Sequence, residues 1–187
     1  MTLRHRFAIL ARRLIRIRKV EVRPFDRRWE SKFRQEASAI EGIFGRHLVD
    51  IHHIGSTAIE GMKAKPIIDI MPVLDNINRA DDYTPDMVAS GYEGLGENGI
   101  QGRRFYQKGG DERSRHVHIF EAGHPEIERH LVFRDYLRSH PQDAAAYGEL
   151  KERLAHDFPH DIERYIQGKK SLVGQIEVRA FEWFRKL

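Results

Sequence analysis

The chain has 187 residues, 40% of them hydrophobic and 32% charged, which suits one domain with a real core in preference to two independent ones. It contains no cysteine; disulfides, thiolate metal ligands and a cysteine nucleophile are thereby excluded, in keeping with a reducing, cytoplasmic setting. The formal charge of +4 is local: residues 1–19 hold seven basic and no acidic side chains, leaving 25 basic against 28 acidic in the remainder, so no dedicated nucleic-acid binder is expected.

In residues 1–19, Leu3, Phe7, Leu10, Leu14 and Ile17 recur at helical spacing among arginines, which predicts a basic amphipathic extension. It reads as a membrane-surface, partner-docking or targeting segment, or as an extension laid on the domain. No apolar run reaches the roughly 18–20 residues that span a bilayer, so no transmembrane segment is expected. Residues 20–187 then form one domain.

A short strand is predicted over 20–22, followed by a helix entered at Pro24 and Asp26, carrying Trp29, Phe33, Ala37 and Ile40, and ended by Gly42 and Gly45. Leu48 to Ile54 alternates as a strand. Gly55-Ser56-Thr57 follows, with Glu60 at capping-box distance from Thr57, which predicts a short helix stopped at Gly61. Ile67 to Leu74 is an apolar strand interrupted by one carboxylate, Asp69. Residues 75–102 read as loop with one helix near 85–90. Arg103 to Gln107 and Arg115 to Glu121 form a hairpin about Lys108-Gly109-Gly110-Asp111. Three helices close the chain, over 127–139, 141–158 and 162–184, the last with a break near Gly168. Strands first and helices last indicate an α+β domain with helices on one face of the sheet.

The chemistry concentrates in residues 52–74. A Gly-Ser turn at a helix start points free backbone N–H groups at its surroundings and favours phosphate. Strand alternation sets Asp69, Met71 and Val73 on one face, and a carboxylate beside such a turn could hold a divalent metal that bridges to phosphate. His116 and His118, two apart on a strand, share a face and offer metal ligands or proton-transfer groups if that strand lies beside Asp69; the alternative is a pair of hydrogen-bonded structural histidines. Glu121 falls on the other face. Lys65 and Arg104 could neutralise phosphate charge or be surface cations. His53 braces the turn. Arg134, Asp135 and Arg138 suggest an ion-pair network, and Lys151 and Lys169 could close the cleft, with structural roles favoured. The glycines of Gly94-Leu95-Gly96-Glu97-Asn98-Gly99 read as a loop and not as a dinucleotide fingerprint.

These motifs carry a resemblance. Pro24-Phe25-Asp26 with Trp29, His53-Ile54-Gly55-Ser56-Thr57, Ala64-Lys65-Pro66-Ile67-Ile68-Asp69, His116-Val117-His118 and the run from Phe133 to Arg138 with Pro141 and Tyr147 through Lys151 resemble the GrpB family over residues 20 to about 185. Gly55-Ser56 and Asp69 are also similar to the nucleotidyltransferase motif. The resemblance implies a nucleotidyltransferase-like mixed β-sheet with helices packed on it and a helical C-terminal part. Together with the residue readings above, the expected site is one in which Gly55, Ser56, Thr57, Lys65 and Arg104 bind a nucleotide or phosphorylated small molecule, while Asp69, His116 and His118 serve catalysis and hold Mg²⁺ or Mn²⁺. Met71 stands where the motif has its second carboxylate. Either another residue completes the site for nucleotidyl or phosphoryl transfer, or the fold keeps a phosphate-binding cleft without that chemistry.

Overall fold

The computed structural model describes residues 19–187, so the amphipathic segment expected at the N-terminus lies, but for Lys19, outside the described residues. Among the described residues the first helix, α1 (Arg28–Phe44), buries Trp29, Glu36, Ala37, Ile40 and Phe44 and stops at Gly45, whose φ of 50° breaks the helical path. Gly42 does not end it. Strands β1 (Leu48–Ile54) and β2 (Ile68–Leu74) follow, then the short helices α2 (Asn78–Asp82) and α3 (Thr84–Ala89) and strands β3 (Tyr92–Gly94), β4 (Arg104–Lys108) and β5 (Arg115–Glu121). Helices α4 (Pro125–Ser139), α5 (Pro141–Asp157) and α6 (Ile162–Phe184) complete the chain.

The five strands make one mixed sheet in the order β1-β2-β5-β4-β3. Only β2 and β5 run parallel; the other neighbours are antiparallel. Parallel neighbours cannot be joined by a tight turn, and here α2, α3, β3 and β4 fill the crossover. The expected hairpin of β4 and β5 is present, whereas β3 escaped sequence reading because its three residues are too few to show a period.

Helices cover both faces of the sheet, not one. Trp29, Ile40 and Phe44 of α1 with Ala80 and Met87 pack on Ile68, Ile70, Leu74, Val117 and Ile119, the apolar half of each strand's alternation. On the opposite face Ile54, Met71 and Phe120 meet Ile127 and Leu131 of α4. The C-terminal helices form a third layer of contacts around Val132, Tyr136, Leu137, Tyr147 and Ile176, joined by Ile59 and Met62 from the connector after the Gly-Ser turn.

Three local expectations need correction. Residues 20–22 make no strand: the backbone bonds there are a bridge between Arg23 and Ala64 and a bond from Val20 N–H to the Pro159 carbonyl. The capping box fails, since only a single 3₁₀ turn, Ser56–Ala58, forms and Thr57 sits inside it. Helix α6 runs through Gly168 without a break; a side chain there would collide with Leu154 of α5, so the glycine permits close packing of two helices.

Candidate functional site

Strand β1 delivers the chain into Gly55, at φ 69° and ψ −171°, a backbone conformation that L-residues avoid. The reason is contact with β2: a Cβ at Gly55 would lie 2.5 Å from Asp69 Oδ2. The Gly-Ser turn and the carboxylate are thus in direct apposition. Thr57 is buried and anchors this turn, donating to the Ile67 carbonyl at 3.2 Å and accepting from His53 Nε2 at 3.0 Å. Its hydroxyl is used up, so Thr57 braces the turn instead of meeting a ligand, as does His53. Arg134 and Arg138 of α4 add to this, donating to the carbonyls of His53 (3.0 Å) and Ala58 (3.0 and 2.8 Å) while also pairing with Asp135.

The parallel register places Asp69 beside His116, and alternation brings His118 onto the same face. Asp69 Oδ1 lies 3.2 Å from His116 Nδ1 and 3.5 Å from His118 Nε2, and the candidate ligand atoms of all three residues lie within 4.8 Å of one another. A tetrahedral site with bonds of about 2.1 Å has edges of about 3.4 Å. Burial pushes the Asp69 carboxyl up, but the hydrogen bond from His116 and the nearby His118 imidazole outweigh it and hold the group below the usual carboxylate range, ionised. Burial likewise lowers the His118 pKa against the pull of Asp69, favouring the neutral imidazole that ligates.

Three buried side-chain atoms among the described residues have no hydrogen-bond partner: His116 Nε2, His118 Nε2 and Gln107 Oε1. All belong to one sheet face, because Gln107 stands opposite His116 and Phe105 opposite His118 in the β4–β5 ladder. Unpaired polar atoms are costly and rare in folded interiors, and a cation bound by His118 Nε2 beside Asp69 would satisfy that one. Two imidazoles and one carboxylate suit a borderline ion such as Zn²⁺ better than Mg²⁺ or Mn²⁺, which prefer oxygen. One contact opposes an ion: Arg103 Nη1 lies 3.3 Å from His118 Nδ1. Arginine can only donate, so this contact favours a proton on Nε2 until the guanidinium turns away.

Around the turn the structure gathers lysines. Lys151 is 2% exposed, donates to Ser56 Oγ at 2.7 Å and lies 4.6 Å from the Tyr147 ring centre. Lys169 lies 4.7 Å and Lys65 5.3 Å from the Tyr165 ring. Burial first, then repulsion by Lys169 and Lys65, pushes Lys151 down to about 7 against the attraction of Asp69; burial with Lys65 pushes Lys169 to about 8. The sequence carried a signal for both, since Tyr147-Lys151 and Tyr165-Lys169 repeat a Tyr-Lys pair at the i,i+4 spacing of adjacent helical turns.

Arg104 is not in this group. Its register partner is Ile119, one residue out of phase with His118, so it points to the opposite face and forms two bonds to Asp81 at 2.7 and 2.8 Å. The position that reaches the histidines is its neighbour Arg103.

With this geometry in hand, comparison with known proteins places the chain. The family model described as GrpB protein matches residues 19–179. The chain belongs to the GrpB family. The UPF0157 protein YqkA of Bacillus subtilis is 46% identical over 166 residues, 89% of this chain and 48% of that protein, so the chain spans about half of that relative's length. The glutamate-rich protein GrpB of Alkalihalophilus pseudofirmus is 33% identical over 79% of this chain and 88% of its own. Among solved structures, the conserved protein GrpB from Enterococcus faecalis superposes with a TM-score of 0.85 at 37% identity, covering 88% of this chain and 99% of that one. The GrpB membership and the α+β architecture expected from the motifs both hold, and no described helix is long and apolar enough to cross a membrane.

Proposed function

We propose that this GrpB chain binds a nucleotide or related phosphorylated small molecule on the Gly55-Ser56 turn, together with one divalent transition-metal ion held by Asp69, His116 and His118, for nucleotidyl or phosphoryl transfer. The observation that carries this reading is the direct apposition of the Gly55-Ser56 turn to Asp69, which puts the turn beside the Asp69, His116 and His118 side chains. The turn's backbone N–H groups and Ser56 would bind phosphate oxygens, with Lys65, Lys151 and Lys169 matching the charge. A bound ion would supply Lewis-acid polarisation of a phosphoryl oxygen. Asp69 is ionised and orients the His116 imidazole, while α4 through Arg134 and Arg138 holds the turn in place.

A second reading, ligand binding without turnover, is favoured by Met71. It is fully buried among Ile54, Phe120, Ile127 and Leu131, so the position that would carry a second carboxylate belongs to the core.

Thermal denaturation of the protein with each nucleoside triphosphate, with and without Mn²⁺, Zn²⁺ or Mg²⁺, tests the site. A ligand near a hundredfold its Kd is expected to raise Tm by about 5–10 °C, with the metal-dependent part lost in Asp69→Ala. No shift with any triphosphate or ion would remove the proposal; a shift without conversion of the nucleotide, read by chromatography, would select the second reading.

A further inference from the structure

Among the described residues Arg103 is the one buried arginine, 6% exposed, and none of their carboxylates lies within ion-pair reach of it. Arg115 and Arg134 are less buried, yet each holds a carboxylate, Glu36 at 3.1 Å and Asp135 at 2.7 Å. Glu126 attracts Arg103 only from farther off, being bonded to Arg129. The groups that the guanidinium does touch carry no negative charge. Nε donates to the Glu97 carbonyl at 3.1 Å and Nη2 to the Asn98 carbonyl at 2.6 Å, while Nη1 lies 3.3 Å from His118 Nδ1 and the Phe105 ring centre is 4.9 Å away. A guanidinium stays protonated, and a buried charge without a counter-charge is costly. The loop before β4 is nevertheless built around it: Asn98, whose φ of 44° is the one positive value outside glycine among the described residues, presents its carbonyl to Nη2, and Glu97 Oε1 ties the loop by accepting from the Gly102 N–H at 2.7 Å.

Resting on the phosphate reading proposed above, we infer that Arg103 is a phosphate-binding residue, its guanidinium pairing with a phosphate group of the ligand that the Gly55-Ser56 turn holds. The fork of a guanidinium matches phosphate oxygens, and each Nη carries a second N–H beyond the contact it makes here. His118 lies between Arg103 and Asp69, and Asp69 meets Gly55, so β4 and the β1–β2 connection bring the arginine and the turn to the same group of side chains. Lys151, also buried and also without a carboxylate in reach among the described residues, stands at the turn on Ser56. The site thus carries positive charge at both ends. That favours a ligand with two or more linked phosphates over a monophosphate, because a phosphate chain offers a separate anionic group to each cation.

The test is calorimetric binding of inorganic phosphate, inorganic triphosphate and ATP to the full chain, in EDTA and with Zn²⁺, for the natural protein, Arg103→Met, Arg103→Lys and Arg104→Met. Arg103→Met is expected to raise the triphosphate Kd about 10–100-fold and to narrow the margin by which triphosphate outbinds phosphate. Arg103→Lys is expected to recover part of the loss, since an ammonium keeps the charge without the fork. Arg104→Met, at the neighbouring residue that pairs with Asp81 on the other face, is expected to leave binding unchanged. Arginine ¹⁵N NMR gives a reading without substitution: the Arg103 Nε–H resonance is expected to shift as triphosphate saturates, and it decides the matter if Arg103→Met fails to fold. An unchanged Kd in folded Arg103→Met, or an Arg103 resonance unmoved at saturation, overturns the inference and leaves the turn as the phosphate site. Absence of binding by the natural protein, with and without the ion, overturns both.

Discussion

Burying Lys151 gives the protein a measurable pH signature. In the unfolded chain its ammonium titrates near 10.4, whereas in the fold desolvation and the neighbouring lysines bring it to about 7, with Lys169 at about 8. Between these values the unfolded chain holds more protons than the native one, so stability rises with pH across that window and is lowest where both lysines are forced to stay charged, below about 7. His118 and His130 are also lowered, His130 to about 3, but their contribution is complete by roughly pH 6.5. Ligand-free protein is therefore expected to gain Tm between pH 7 and 9, with a shallower rise in Lys151→Met; an identical slope in the variant would contradict the assignment. Phosphate ligands should bind more weakly across the same window, because the lysines that match their charge lose it.

At the scale of elements, the decisive junction is the passage from β1 through the Gly-Ser turn to β2. Alternation in both strands was readable, and so was Asp69 as the one carboxylate in an apolar strand, because period two is local information. The conformation of Gly55 and its contact with Asp69 were not, since they depend on how β1 and β2 pair. Gly55→Ala is expected to cost about 1–3 kcal/mol through its positive φ and to abolish ion binding by displacing the Asp69 carboxylate. Urea denaturation with metal titration checks both parts; retained metal affinity would show that the carboxylate tolerates the methyl group. Thr57 illustrates the opposite error: its capping-box spacing was locally valid, but the carbonyl of Ile67 and the ring of His53 compete for the hydroxyl and win.

Across the whole molecule the sheet and the C-terminal helices close on the turn from opposite sides. Lys151 and Lys169 arrive from α5 and α6, and Arg138 of α4 donates twice to the Ala58 carbonyl. Arg138→Met would leave that buried carbonyl without a donor, a loss of about 1–3 kcal/mol. Chemical denaturation should show this as one shifted transition, whereas loss of the helical signal in a separate step would mean that the helices do not fold with the sheet. Arg104 and Arg103 show why the cleft's membership needed this scale: adjacent on β4, they differ in strand face, and register decides which of them reaches His118.

The sequence by itself determined the longer helices and strands, the family resemblance and the nearness in the chain of Gly55, Ser56 and Asp69, because apolar period, turn residues and short motifs are written within a few residues of one another. It also marked His116 and His118 as sharing a face. Tertiary structure alone decided that this face meets Asp69 across a parallel pairing, that helices cover both sides of the sheet, that Lys151 reaches Ser56 from 95 positions away, and that Arg103 reaches His118 while Arg104 does not. Strand order and register arise from pairing segments distant in the chain, and no local pattern encodes which segments those are.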